Sequence, residues 1–192
     1  MDIVIRPVEP YESEELGEIT AQAYLRDGLL DFGESDAYLS ELRNVAGRAA
    51  AAEVPVAVEG TGSLYRAADG TAAEADGTAE ANDARRVPVG VTLVPRGGPT
   101  ADIAGPGEAE IRMLAVTRAA RRRGVGEALV RACADRARAT EGCVRIVLPT
   151  RRTMRAAHRV YERLGFVRSP GRHRNPVPHL DDITLLTYEL TL

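Results

Sequence analysis

Lysine is absent from this chain of 192 residues, and all 25 of its basic residues are arginine. Every positive side chain other than histidine is therefore a planar guanidinium suited to bidentate contact with phosphate or carboxylate oxygens. Aromatic residues are scarce, at 4%, and no nucleic-acid-binding module is recognisable, so nucleic acid is not an expected partner. Cysteine occurs twice, at Cys133 and Cys143, without metal-ligand spacing; reduced thiols and no metal site are expected. Nothing resembles a nucleophilic Cys or Ser-His arrangement, which argues against a covalent enzyme intermediate. No apolar run approaches the roughly 18 residues of a membrane span. The first residues, Met1-Asp-Ile-Val-Ile-Arg6, read as a strand and not as a leader, so a cytoplasmic protein off the membrane is expected.

What remains is 44% hydrophobic and 28% charged, the composition of a soluble globular protein. The length suits one well-buried domain spanning residues 1–192. Charge is segregated: Arg118 to Arg174 carries 16 arginines against 4 acids, a balance of +12, and the rest of the chain 9 arginines against 24 acids, or −15. A basic third in a mildly acidic protein points to a polyanionic ligand.

Taken in order, Ile3–Ile5 is a short strand ended by Pro7. Apolar positions Leu16, Ile19, Ala23 and Tyr24 place a helix between Glu9 and Arg26, and a second helix is expected from about Asp36 to Ala52. The loop between them clusters Asp27, Asp31, Glu34 and Asp36, either an ordinary solvated loop or a lure for a cationic amine. Strands are expected at Val54–Val58 and Val87–Val94. Between them, residues 67–84 contain no apolar side chain larger than alanine, so a disordered insertion is expected at about 60–86.

The organising stretch follows. The apolar run Ile111–Val116 leads into Arg121-Arg122-Arg123 and then Gly124-Val125-Gly126 at the mouth of a helix that Gly142 terminates. Glycines there let a ligand reach bare backbone N–H groups, the helix dipole adds about half a positive charge, and the guanidiniums complete a pyrophosphate site. A nicotinamide-type fingerprint is disfavoured because Leu129 stands where its third glycine belongs. Val144–Leu148 is the next strand, parallel to the first because a helix connects them. Thr153 is the expected cap of a helix carrying Ala157, Val160, Tyr161 and Leu164 on its inner face. Gly165 turns the chain so that Phe166 folds back on Tyr161, and Ile183–Leu192 pairs with Phe166-Val167.

Arg121-x-x-Gly124-x-Gly126 after the strand Glu110–Val116 resembles the acyl-CoA loop of the GNAT acyltransferases. Ala157–Phe166 is similar to that family's closing helix and following strand. The resemblance covers about Glu108 to Val167. It implies an α/β fold: a mixed, mostly antiparallel twisted sheet, helices on both faces, and central parallel strands that splay apart. It also implies an N-acetyltransferase that moves an acetyl group from acetyl-CoA directly to a primary amine in a ternary complex. A regulatory module that binds acyl-CoA without turnover is the alternative. The implied cofactor contacts are the backbone of Leu114, Ala115 and Val116, with Arg121, Arg122, Arg123, Gly124, Val125, Gly126 and Glu127. Glu110 matches the position of a glutamate base in histone-type members, and Tyr161 that of the acid protonating the departing thiolate. Where the family often has a cofactor-contacting asparagine, this chain has Met154, with Arg151 or Arg152 as possible substitutes. His158 is expected at the surface. His173 and His179 are candidates for the acceptor pocket, and Arg172 and Arg174 for an acidic substrate or the 3'-phosphate. The acceptor is expected to be a small-molecule or peptide amine, and the protein a monomer or homodimer.

Overall fold

The computed structural model describes residues 2–60, 89–175 and 184–192. Apart from Gly60, the insertion expected at about 60–86 lies outside the described residues, as does His179. Strand β1 (Asp2–Pro7) pairs antiparallel with β2 (Pro55–Gly60) and stops where Pro7 removes a ladder donor. Between them lie three helices, not two. α1 (Ser13–Arg26) is as expected, but the second expected helix is divided into α2 (Tyr38–Arg43) and α3 (Val45–Ala51). Asn44 makes the break. Its ψ of 62° leaves the helical region, and its side-chain oxygen accepts the Gly47 amide at 2.9 Å. An asparagine that captures a backbone donor starts a helix, even inside one continuous apolar pattern.

Strands β3 (Val89–Val94) and β4 (Glu108–Val116) are followed by α4 (Val125–Arg138), β5 (Arg145–Arg151), α5 (Arg155–Arg163), β6 (Val167–Arg168) and β7 (Leu185–Thr191). Among the described residues the sheet order is β1-β2-β3-β4-β5-β7-β6, and only β4 and β5 run parallel. Two sequence expectations shift locally. Helix α4 ends at Arg138, with Gly142 (φ 74°) turning the chain towards β5. Helix α5 has Met154 as its N-cap without a side-chain cap, so Thr153 does not serve.

Alternation puts the two faces of the sheet against different helices. Val56 packs with Leu16 of α1 and Val45 of α3, whereas Ala57 joins Leu129 and Cys133 of α4. Along β4 the alternation slips. Ala109 and Ile111 face α4, but Met113, at φ 54°, joins Ala21 and Leu42 on the α1–α2 side. The β3–β4 register shifts across the same place, between Gly90 and Thr92, as a bulge requires. Gly90 is small for a reason: a Cβ there would stand 2.9 Å from Leu16 Cδ1.

The β4–β5 pairing is short. It covers Glu108–Glu110 against Arg145–Val147, after which β4 continues to Val116 on β3 alone. That divergence opens a wedge in the sheet, with α4 at its mouth and α5 along its far side.

Glu108 fastens the closed end of the wedge. Its carboxylate takes two Arg172 bonds at 2.7 Å, one from Arg145 at 3.2 Å and the Gly105 amide at 3.0 Å. The Arg172 guanidinium, helped by Gly105 and Arg145, holds the carboxyl at about 2. A carboxyl lowered on folding stabilises fully above its unfolded value, about 4.3, and loses that contribution as pH falls towards the folded one. The melting temperature of the protein should therefore fall more steeply below about pH 4.5 than that of Glu108→Gln. Parallel melting curves for the two proteins would refute the linkage.

Candidate active site

The mouth of the wedge is built from a tight loop in which Arg122, at φ 61°, and Gly124 both take left-handed backbone. Gly124 sits in the left-handed region at φ 78° as the N-cap of α4, and a Cβ placed on it meets no described atom within 4 Å. Such a cap leaves the first N–H groups of α4 directed outward without helical partners. Val125 is buried in the core and so contributes its backbone, while Gly126 lets α4 approach β4: a Cβ there would meet Val116 Cγ2 at 3.2 Å. Arg121 and Arg122 flank these amides. Arg121 Nε donates to the Val116 carbonyl at 3.0 Å, and its guanidinium also pairs with Asp27 at the end of α1.

Behind the mouth lies a cleft of about 620 Å³. The β4 residues Leu114, Ala115 and Val116 line one wall, and Thr153, Met154, Arg155, Ala157 and Tyr161 from the α5 segment line the other. Gly124, Val125, Gly126 and Glu127 close its end. Glu127 braces the two helices: it accepts from Arg163 at 2.8 Å and Arg131 at 3.3 Å, and the Arg163 guanidinium lowers its carboxyl. Arg123 is not among the residues lining the cleft. A slot with an open strand edge on one side, and amides with guanidiniums at its end, fits a long ligand carrying a pyrophosphate.

Tyr161 is buried on α5, with its ring 6.0 Å from Phe166 and 5.8 Å from Tyr188. The fold-back of Phe166 expected from Gly165 is present, sealed by the Phe166 amide on the Tyr161 carbonyl at 3.0 Å. Desolvation raises the phenol above its ordinary value, so it stays protonated at any working pH.

A second cavity, of about 300 Å³, opens on the α1–α2 side of β4. It meets the cleft at three shared residues, Tyr24, Leu29 and Met154. The sequence reading missed this junction. Tyr24 falls at a helical core spacing, which gives no sign that its ring also borders a ligand space.

Glu110 is elsewhere. The position matches a glutamate base, but here the side chain is wholly buried, and it lines neither cavity. Its Oε2 accepts three backbone amides, those of Asp102 and Ile103 at 2.8 Å and Ala104 at 3.0 Å. Its Oε1 faces Arg112 Nε at 3.7 Å. Glu110 therefore holds the 101–104 turn against the sheet. The expectation of a catalytic base fails because that turn, eight residues earlier in sequence, folds onto the carboxylate. Glu110→Ala strands three amides and should lower stability by about 3–5 kcal/mol in chemical denaturation. A loss below about 1 kcal/mol would contradict this placement.

Other candidates resolve by their partners. Three of the four acids of the first loop are engaged: Asp27 with Arg121, Asp31 bidentately with Arg151 at 2.7 and 2.5 Å, and Asp36 with the amides of Asp31, Phe32 and Tyr38, while Glu34 is exposed and lines neither cavity. Arg151 thus faces the second cavity and Arg152 lines neither space, so the side chain that reaches the cleft beside Met154 is Arg155. His158 Nε2 lies 3.0 Å from the Arg151 carbonyl, which makes that nitrogen the protonated one and leaves the ring structural. His173 lines neither cavity. Arg172 is spent on Glu108, while Arg174 borders the second cavity paired with Asp102 at 2.7 Å.

No helix among the described residues is long and apolar enough to cross a membrane, and no group of three or more metal-ligating side chains occurs among them. Residues 57–166 match the sequence model of the Acetyltransferase (GNAT) family. Among solved structures, a GCN5-related N-acetyltransferase from Kribbella flavida superposes with a TM-score of 0.64 at 17% identity, over 99% of this chain and 98% of that one. The acetyltransferase yncA from Salmonella typhimurium, solved with its cofactor acetyl-CoA, gives 0.63 at 16% identity, over 100% and 95%. NAA60 of Arabidopsis thaliana, in complex with a bisubstrate analogue, gives 0.62 at 16%, over 100% and 97%. No curated protein sequence matches significantly.

Proposed function

Because the chain belongs to the GNAT acetyltransferase family, we propose that it moves an acetyl group from acetyl-CoA to a primary amine by direct attack in a ternary complex. The observation that carries this reading is the meeting of a long cleft and a second cavity at Tyr24, Leu29 and Met154, beside the half of β4 that has left β5. Acetyl-CoA is assigned to the cleft, with its pyrophosphate on the first-turn amides of α4 flanked by Arg121 and Arg122. The yncA structure, with its acetyl-CoA, supports the same donor here.

Chemistry follows from the walls. An amine that enters the second cavity as an ammonium loses one proton to solvent, and its neutral form attacks the thioester carbon, so an N–C bond forms as the C–S bond breaks. Backbone N–H groups of Leu114–Val116 oppose the negative charge developing on the carbonyl oxygen, and main-chain donors do so whatever their side chains. The departing thiolate, of reference pKa near 8.5, receives the proton of Tyr161, which solvent then replaces. The amine gives its protons to solvent, since each carboxylate lining the second cavity is already held by a guanidinium or by backbone amides. That shortage of a free base is the one observation favouring the alternative, a domain that binds acyl-CoA without turnover.

Calorimetric titration with acetyl-CoA, with NAD and a DNA duplex as controls, tests the donor site; saturable binding of acetyl-CoA alone is expected. Thiol release on adding amines then separates the enzyme from the binding module. Absence of acetyl-CoA binding would sink both.

A further inference from the structure

Aromatic side chains number eight in the whole chain, six tyrosines and two phenylalanines. Three of them, Tyr24, Phe32 and Tyr38, line the second cavity. Tyr24 and Tyr38 stand with ring centroids 6.2 Å apart at 56°, and Phe32 is 57% exposed at the edge. A chain so poor in aromatics has gathered them around a space of only about 300 Å³. Leu29, Leu30, Met113 and Leu185 supply further apolar wall.

The charges around the same space are matched in a particular way. Four carboxylates line it, against three guanidiniums. Arg151 is held by Asp31, Arg112 by Glu41 at 2.9 Å, and Arg174 by Asp102. Arg112 is occupied further, donating to the Thr100 carbonyl at 2.6 Å and facing buried Glu110 from behind. Asp36 is the fourth: among the described residues it bonds only to backbone amides and makes no direct ion pair, and the one guanidinium its charge reaches, Arg151, is already held by Asp31. The cavity thus keeps a surplus of negative charge with aromatic faces beside it, and both attract an ammonium group. A carboxylate on the incoming molecule would find every arginine engaged. It would have to displace Asp31, Glu41 or Asp102 and leave that acid without its cation.

Resting on the acetyltransferase reading, we propose that the acceptor is a small cationic amine with an apolar or aromatic body and no carboxylate beside the amine. Free α-amino acids are excluded by the matched arginines. Phe32 and Tyr38 are specificity-determining residues for the body of the acceptor, and Glu41 determines specificity by keeping Arg112 from recruiting a carboxylate.

The test uses matched pairs that differ by one carboxylate: 2-phenylethylamine against phenylalanine, and 1,4-diaminobutane against ornithine. Each is titrated into the full-length protein saturated with CoA, so the readout is binding and survives a failure of turnover. In at least one pair the amine should bind at least tenfold more tightly than its amino acid. Glu41→Gln, which keeps an acceptor oxygen but removes the one carboxylate that meets Arg112 on the cavity side, should shrink that preference at least fivefold, chiefly by strengthening the amino acid. Phe32→Leu, at an exposed site with little bearing on folding, should weaken the preferred amine severalfold. Equal or tighter binding of the amino acid in both pairs would overturn the proposal, as would no binding of any of the four or an unchanged preference in Glu41→Gln. Amine binding without thiol release from acetyl-CoA would leave the proposal standing and sink the transferase reading instead.

Discussion

Gly124→Glu should weaken acetyl-CoA binding at least about 100-fold, equivalent to about 2.7 kcal/mol. Two effects converge on this residue. At φ 78° it is left-handed, as Arg122 (φ 61°) is in the same turn, and a side chain there carries roughly 1–2 kcal/mol of strain. More important is charge. The N-terminus of α4 holds about half a positive charge, and Arg121 and Arg122 flank it, so the site is organised for an anion. A carboxylate on the cap occupies those amides itself and repels the pyrophosphate; two unit charges about 4 Å apart near a protein surface interact by about 4 kcal/mol. Gly124→Ala separates the effects. It carries the strain but no charge and has open space for its methyl, so a melting temperature a few degrees lower and an affinity within about threefold are expected. Unchanged affinity in Gly124→Glu would place the pyrophosphate elsewhere.

Tyr161→Phe should lower kcat about 100-fold while leaving the dissociation constant for acetyl-CoA unchanged. The substitution removes one oxygen from a ring that packs on Phe166 and Tyr188, and those ring contacts survive it. Stability should therefore hold, which makes kcat the informative measurement. Burial makes the phenol a weaker acid but keeps it protonated, so it can donate a hydrogen bond to the sulfur as charge develops and release the proton only as the C–S bond breaks, and phenylalanine offers neither. If kcat stays within about threefold, the ring belongs to the core only and the thiolate leaves without an enzyme acid. A fall in kcat accompanied by a large loss of acetyl-CoA binding would instead mean that Tyr161 shapes the cleft.

The residues legible in the sequence are those whose role is written in backbone chemistry within a few positions. Gly124 and Gly126 announce a helix mouth because glycine takes that left-handed cap without strain and allows that close approach to Val116. Gly165 announces the turn that returns Phe166 to Tyr161 for the same reason. Proline marks the strand end at Pro7, a short apolar run finds β5, and the period-two pattern finds β7. Local patterns likewise predict the antiparallel pairing of β6 with β7. They do not reveal that β7 lies between β5 and β6, because strand order depends on which edges remain unpaired once the chain has collapsed.

What only the tertiary structure decided is the fate of the charged groups and the place of the second cavity. A carboxylate in sequence carries no sign of what will face it. Glu110 lost its expected catalytic place to the amides of Asp102, Ile103 and Ala104, and Asp31 met Arg151 across 120 positions. Asn44 split a helix that periodicity reads as whole. The amino-acid order by itself determined the strand, arginine loop and glycine-capped helix, because steric limits on φ and the helix dipole act over a few residues. The junction at Tyr24, Leu29 and Met154 arises only when α1 and α5 close on β4, and electrostatic pairing over such distances has no local signature.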